Sequence, residues 1–181
     1  MSISTKILIT SLLIGLIGGG VFISLQSSQS SPTNMSAPGD VDNISQEGGE
    51  DLVINGSQLR VKAAEGKCLG ISGTMKNLKN GIVPQFFPCD KNSNQQWNYN
   101  TTKNEITPAS NSNFCLDVPR SKAVNGKGLV LWGCNGGKNQ DWSLSNKQIS
   151  TQLDEKKCVT YNNAGKLELQ DCASNDKQIF Y

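Results

Sequence analysis

The sequence predicts an all-β domain built from three repeats, and three observations predict it. One pattern occurs three times: a cysteine, a second cysteine, then Gln-x-aromatic. The copies are Cys68, Cys89 and Gln95-Gln96-Trp97; Cys115, Cys134 and Gln140-Asp141-Trp142; and Cys158, Cys172 and Gln178-Ile179-Phe180. In every copy the glutamine follows the second cysteine by six residues. An aliphatic residue also stands nine positions before each first cysteine, at Leu59, Ile106 and Ile149. Finally, residues 52–181 form a series of short β-like runs, such as Gln58-Leu59-Arg60-Val61, Gly128-Leu129-Val130-Leu131-Trp132 and Lys166-Leu167-Glu168-Leu169-Gln170. Clusters of Asn, Gly, Ser and Asp separate them, and no amphipathic helix is visible. Short strands between regular turn signals, repeated at a fixed period, predict about four strands per repeat and about twelve in all.

The three parts of the chain differ in composition. Residues 7–25, ILITSLLIGLIGGGVFISL, carry no charge. As a helix they span roughly 28 Å, near the thickness of a bilayer core. Lys6 precedes them and the next basic residue is Arg60, so the positive-inside rule places everything after residue 25 outside the cytoplasm. Residues 1–25 therefore read as a signal anchor or a cleaved signal peptide. The first outcome gives a membrane-anchored protein, the second a secreted one. Residues 26–51 are Ser, Gly, Pro and acid with almost no apolar content, and read as a disordered stalk. Residues 52–181 are the folded domain.

The chain has six cysteines and no histidine. Six cysteines allow 15 pairings. The repeat symmetry selects the local ones: Cys68–Cys89, Cys115–Cys134 and Cys158–Cys172. Such bridges persist in oxidising compartments, in agreement with export. Each closes a loop of roughly 15–20 residues, worth about 3 kcal/mol in the chain-entropy model. Without histidine or C-x-x-C the usual zinc spacings are absent, and no metal or other cofactor is expected. The net charge is +2 and no Lys/Arg run occurs, which argues against a nucleic-acid partner.

Three disulfide-bearing repeats that each end in Gln-x-Trp or its Phe variant resemble the ricin B-type lectin domain, a β-trefoil. The resemblance covers residues 52–181. It implies a six-stranded barrel capped by three hairpins, with Trp97, Trp142 and Phe180 in the shared core. It also implies where a sugar is held. The family carries an Asp just after the first cysteine, an aromatic two residues before the second, and an Asn before the Gln-x-Trp glutamine. A carboxylate accepts from two adjacent hydroxyls, an amide both donates and accepts, and a flat ring covers the apolar face of a pyranose.

Only the second repeat keeps the full set: Asp117, Trp132, Asn139 and Gln140. It departs from the family at Val130, where a polar residue is usual. The first repeat keeps Phe87, Asn94 and Gln95 but has Gly70 in place of the carboxylate, and is expected to be a weaker site. The third has Thr160, Gln170 and Lys177 at the three positions and is expected not to bind. Asp117 is expected on a surface turn, so that its loss removes binding at little cost in stability.

The resemblance implies a carbohydrate-binding protein for galactose-type or other glycans and glycoproteins. The alternative is a non-catalytic targeting or adhesion subunit that works with a toxin or surface partner chain. No enzyme is expected: histidine is missing, and the carboxylates form no placeable pair.

Overall fold

The computed structural model describes residues 51–181. The hydrophobic segment 7–25, and the stalk apart from Asp51, lie outside the described residues. Among the described residues no helix is long and apolar enough to cross a membrane.

Among the described residues twelve strands follow one another. The first repeat holds β1 (Asn55–Gln58), β2 (Lys67–Gly70), β3 (Gln85–Pro88) and β4 (Gln96–Asn100). The second holds β5 (Glu105–Pro108), β6 (Phe114–Asp117), β7 (Lys127–Gly128), β8 (Val130–Gly133) and β9 (Trp142–Ser145). The third holds β10 (Gln148–Thr151), β11 (Asp154–Tyr161) and β12 (Leu167–Asp171). The total meets expectation, but the strands are not shared equally. The two-residue β7 is an addition that pairs with β12 of the third repeat. The closing strand of the third repeat shrinks to the bridge between Val61 and Phe180, extended by reciprocal backbone bonds between Arg60 and Tyr181 of 3.0 and 3.1 Å.

Each repeat contributes one antiparallel hairpin: β2 with β3, β6 with β8, and β11 with β12. Antiparallel seams then join the repeats into a barrel, β4 to β5 and β9 to β10. The β9–β10 seam turns on Asn146 and Lys147, both in the left-handed region (φ 52° and 61°). Two consecutive positive φ values make the primed turn whose twist matches a two-residue hairpin.

Threefold layers of apolar side chains fill the interior. Leu59, Ile106 and Ile149 form one set and Trp97, Trp142 and Phe180 another, all fully buried. The hairpins add Leu69, Leu116 and Val159 from their first strands, and Phe86, Leu131 and Leu169 from their second. The indole N–H of Trp97 donates to Leu69 O (2.9 Å) and that of Trp142 to Leu116 O (3.0 Å), so both rings are buried with their polar atom satisfied. The disulfides join Cys68–Cys89, Cys115–Cys134 and Cys158–Cys172, with Cα separations of 4.9, 5.1 and 4.9 Å.

The glutamine of each motif explains its constant spacing. Gln95, Gln140 and Gln178 are buried. Each Oε1 accepts from the backbone N–H just after the second cysteine: Asp90 (2.9 Å), Asn135 (2.8 Å) and Ala173 (2.7 Å). Each Nε2 donates to the carbonyl just before it: Pro88 (2.9 Å), Gly133 (3.1 Å) and Asp171 (2.9 Å). One amide thus clamps the chain on both sides of each disulfide, and the clamp closes only at that spacing.

Candidate functional site

Strand parity builds the candidate site. In the second hairpin Cys115 pairs with Trp132, Leu116 with Leu131, and Asp117 with Val130. Alternate residues face opposite sides of a sheet. Leu116 and Leu131 therefore enter the core, while Asp117 shares the opposite face with Cys115, Val130 and Trp132. That face carries a ring with 44% of its surface exposed, Trp132, beside a carboxylate.

The carboxylate is held firmly. Asn139 Nδ2 donates to Asp117 Oδ2 at 2.7 Å and Gln140 Nε2 donates to the same oxygen at 2.8 Å. The backbone N–H of Val118 donates to Asn139 O at 2.8 Å, which ties the motif loop to the end of β6. Asp117 Oδ1 accepts no hydrogen bond among the described residues and stays available as an acceptor. Burial pushes the Asp117 carboxyl above its ordinary pKa, and the bonds from Gln140 and Asn139 pull the other way without cancelling it.

Two expectations are corrected here. Asp117 is not on a surface turn: it ends β6 and is 3% exposed, because the two-residue step from Cys115 lays it against the two amides. Gln140 does not face solvent either. It is fully buried, and its amide serves the clamp and Asp117. It positions the carboxylate, and both of its N–H donors are spent, on Asp117 and on Gly133 O. Asn139 and Trp132 remain beside Asp117 at the surface.

The sequence did not single out two supports. Asn80, from the first repeat, accepts from Gly133 N–H at 2.8 Å next to Trp132. Gly137 lies where a Cβ would meet Asn139 Oδ1 at 2.6 Å and Asn135 Oδ1 at 2.8 Å, so a side chain there would push Asn139 aside. The Gly136-Gly137 pair was the available signal for such a close approach.

In the first repeat a cleft of about 370 Å³ is lined by Phe87, Asn94 and Gln95 among others. The place of the carboxylate is filled: a Cβ on Gly70 would lie 3.0 Å from Gln95 Cγ and 3.1 Å from Phe87 Cδ2. Asn94 turns its amide to Ile71 O (2.9 Å), and its own Oδ1 is buried without a partner. Gln95, like Gln140, is buried in its clamp. Of the three residues named for this weaker site, only Phe87 and Asn94 are partly exposed.

In the third repeat Thr160 replaces the carboxylate. Its Oγ1 accepts from Gln178 Nε2 (2.9 Å) and donates to Cys158 O (3.1 Å). Gln170 pairs with Cys158 where the second repeat has Trp132. Elsewhere, Glu105 lies within 4.8 Å of the Cys115 and Cys134 sulfurs. Both sulfurs are spent in the disulfide and offer no thiolate to a metal.

Three hairpins capping a barrel of threefold symmetry define a β-trefoil. The chain belongs to the ricin-type beta-trefoil lectin domain family, whose sequence profile matches residues 55–180, and carbohydrate binding is what that family's fold implies. Solved structures agree on the fold. The C-half of the earthworm R-type lectin, in complex with GalNAc, is 16% identical, with a TM-score of 0.56 over 68% of this chain and 94% of that one. The β-trefoil lectin of the Vibrio vulnificus hemolysin/cytolysin, with N-acetyl-D-lactosamine bound, is 14% identical, with a TM-score of 0.56 over 68% and 90%. A mosquitocidal holotoxin is 20% identical, with a TM-score of 0.57 over 71% of this chain but only 17% of that one.

Proposed function

We propose that this chain is an exported lectin that binds galactose-type glycans through its second repeat. One observation carries the reading: Asp117 is fixed by two amides, keeps Oδ1 free, and shares a strand face with the exposed ring of Trp132. The ring covers the apolar face of a pyranose while Asp117 and Asn139 take its hydroxyls. The GalNAc and N-acetyl-D-lactosamine held by the similar trefoils favour a galactose-type sugar. The reading is one of binding and includes no catalytic step.

A shallow surface site of this kind holds a monosaccharide with a dissociation constant on the order of millimolar, because few ligand atoms are buried. Display of many copies raises avidity without new contacts. Residues 1–25 as a signal anchor and 26–51 as a stalk would provide that display outside the cytoplasm; cleavage would release a secreted lectin. The three disulfides fit either route.

A second reading is a targeting or adhesion subunit that acts with a partner chain. It is favoured by the likeness to trefoils in a hemolysin and a holotoxin. A glycan array probed with the full chain, displayed multivalently, separates the two. Wild-type binding to galactose-terminated glycans that disappears in Asp117→Ala and in Trp132→Ala is expected. Silence of the wild type would favour the protein-contact reading, and binding retained by both variants would reject the second-repeat site.

A further inference from the structure

An asparagine followed by glycine is prone to lose its side-chain amide, because a glycine leaves its own backbone nitrogen unscreened by any Cβ. The chain carries four such pairs: Asn55-Gly56, Asn80-Gly81, Asn125-Gly126 and Asn135-Gly136. In the reaction the glycine nitrogen attacks the asparagine Cγ. A glycine N–H that is already held by an acceptor must be released first.

Three of the four are held. Gly56 N–H donates to Asn98 Oδ1 (2.6 Å), Gly81 N–H to Leu131 O (2.8 Å) and Gly126 N–H to Leu169 O (2.8 Å). Gly136 N–H makes no hydrogen bond among the described residues. Asn135 and Gly136 are both exposed, and a Cβ on Gly136 would meet nothing within 4 Å. The electrophile is prepared as well. Gly137 N–H donates to Asn135 Oδ1 at 2.8 Å. That bond polarises the amide carbonyl and supports the charge its oxygen gains when Cγ is attacked.

We propose that Asn135 is a site of spontaneous deamidation, and that its conversion weakens the second-repeat site. Gly136 N gives up its proton to a base in solvent and bonds to Asn135 Cγ. The bond from Cγ to the side-chain nitrogen breaks, and ammonia leaves with one added proton. Water then opens the cyclic imide. Opening at Cγ gives aspartate; opening at the former backbone carbonyl gives isoaspartate, with the chain running through the side chain. One water is consumed and one ammonia released, with no oxidant or reductant.

The position of Asn135 carries the change to the site. Its N–H is held by Gln140 Oε1 at 2.8 Å, and Gln140 and Asn139 hold Asp117. Isoaspartate adds a methylene to the main chain inside the loop that this bond closes. Aspartate puts negative charge where Asn135 Oδ1 stands, and Asn135 Oδ1 and Asn139 Oδ1 flank the same point above Gly137, at 2.8 and 2.6 Å. Either product displaces Asn139 from Asp117. The loss of sugar affinity rests on the function proposed above; the modification does not.

Ageing the 15N-labelled full chain at mildly alkaline pH, with peptide mapping by mass spectrometry, tests the site. Asn135 is expected to deamidate about fivefold faster than each of the other three, which must first open a hydrogen bond. The modified protein, separated by its added charge, is expected to show shifted amide resonances at Asn139 and Gln140. Its affinity for galactose-terminated glycans should fall about fivefold, the worth of one hydrogen bond in the hold on Asp117. Asn135→Gln should keep its starting affinity through the same treatment. Equal rates at the four pairs, or faster loss at another, would overturn the assignment. Unmoved Asn139 resonances, or an equal loss of affinity with age in Asn135→Gln, would overturn the link to the site. Shifted resonances in a protein that binds no glycan even when fresh would uphold the modification and its link to Asp117, and would count against the sugar reading alone.

Discussion

The second and third repeats share a skeleton and differ in where they keep their charge. Both clamp the second cysteine with a buried glutamine, both pair the first cysteine with the residue two before the second, and both bury an aliphatic on the next pair. The second repeat sets its acid at the end of the first hairpin strand, buried, under two amides from the motif loop. The third sets its acid, Glu168, on the opposite strand, half-exposed, under amides from the hairpin itself. Residues that make the fold and residues proposed to meet a ligand alternate along the same strands. Parity separates the two tasks, and the outer face is free to change while the inner one is not.

Core substitutions should ignore this difference and have the largest effect. Trp142→Ala and Phe180→Ala each remove a fully buried ring from an equivalent place and should cost about 3–5 kcal/mol in urea unfolding, with the cavity adding to the lost transfer energy. Trp142→Phe should cost less, yet more than its volume suggests, because Leu116 O loses its donor. A small effect of Trp142→Ala alone would break the equivalence of the repeats.

The acids should separate the repeats. Asp117→Ala leaves the buried Gln140 donor and the partly buried Asn139 donor without their acceptor and should destabilise by about 1–3 kcal/mol. Glu168→Ala, at a half-exposed position, should stay within about 0.5 kcal/mol. Equal costs would mean that burial of Asp117 is not what distinguishes the two acids.

Asp117 of the second repeat and Asp171 of the third respond to pH with opposite sign. Burial raises the pKa of Asp117 in the folded state. Between its ordinary and raised values the folded protein keeps a proton that the unfolded chain has released, so this group makes stability fall as pH rises through that window and level off above it. Binding through the ionised carboxylate should weaken as pH drops through the raised value, above the range of an ordinary aspartate. Hydrogen bonds from Lys157 and Asn125 lower the pKa of Asp171 in the third repeat. Its contribution is present above the ordinary value and lost as pH falls toward the lowered one. Carboxyl 13C titrations of the two side chains check both directions, and Asp117→Asn should remove the acid-side loss of binding.

The fold was legible because its determinants are local. Cysteines, clamp glutamine and core aromatic recur at fixed offsets, and each clamp closes within a few residues of its disulfide. The second-repeat acid, ring and Asn139 were legible for the same reason. Burial was not. Val118-Pro119 after Asp117 suggests a turn, whereas β6 runs through Asp117 and seals it under Gln140. The acid of the third repeat was missed because offsets counted from Cys158 lead to Thr160. Only the hairpin register brings Glu168 opposite it.

The smallest effect expected concerns a support behind the second site. In the first and third repeats the residue before the buried aliphatic is a glutamine whose amide braces the clamp. Gln58 Nε2 donates to Gln95 Oε1 (3.1 Å) and to Asp90 O; Gln148 Nε2 donates to Gln178 Oε1 (3.1 Å) and to Ala173 O (2.9 Å). The second repeat has Glu105 there, 6% exposed and making neither bond. A carboxylate offers no donor, so Gln140 Oε1 keeps only Asn135 N–H. Glu105→Gln should restore the brace and stabilise by about 1 kcal/mol, the net worth of a hydrogen bond gained, seen as a higher urea midpoint with unchanged slope. A lower midpoint would show that the carboxylate itself is used, and Lys103, which lines the same cleft of about 520 Å³, is the group to substitute next. A gain in stability joined to weaker sugar binding would have a different meaning. The looser hold on Gln140 would then be what lets the Asp117 carboxylate adjust to its ligand, and the second repeat would differ from its neighbours in mobility as well as in charge.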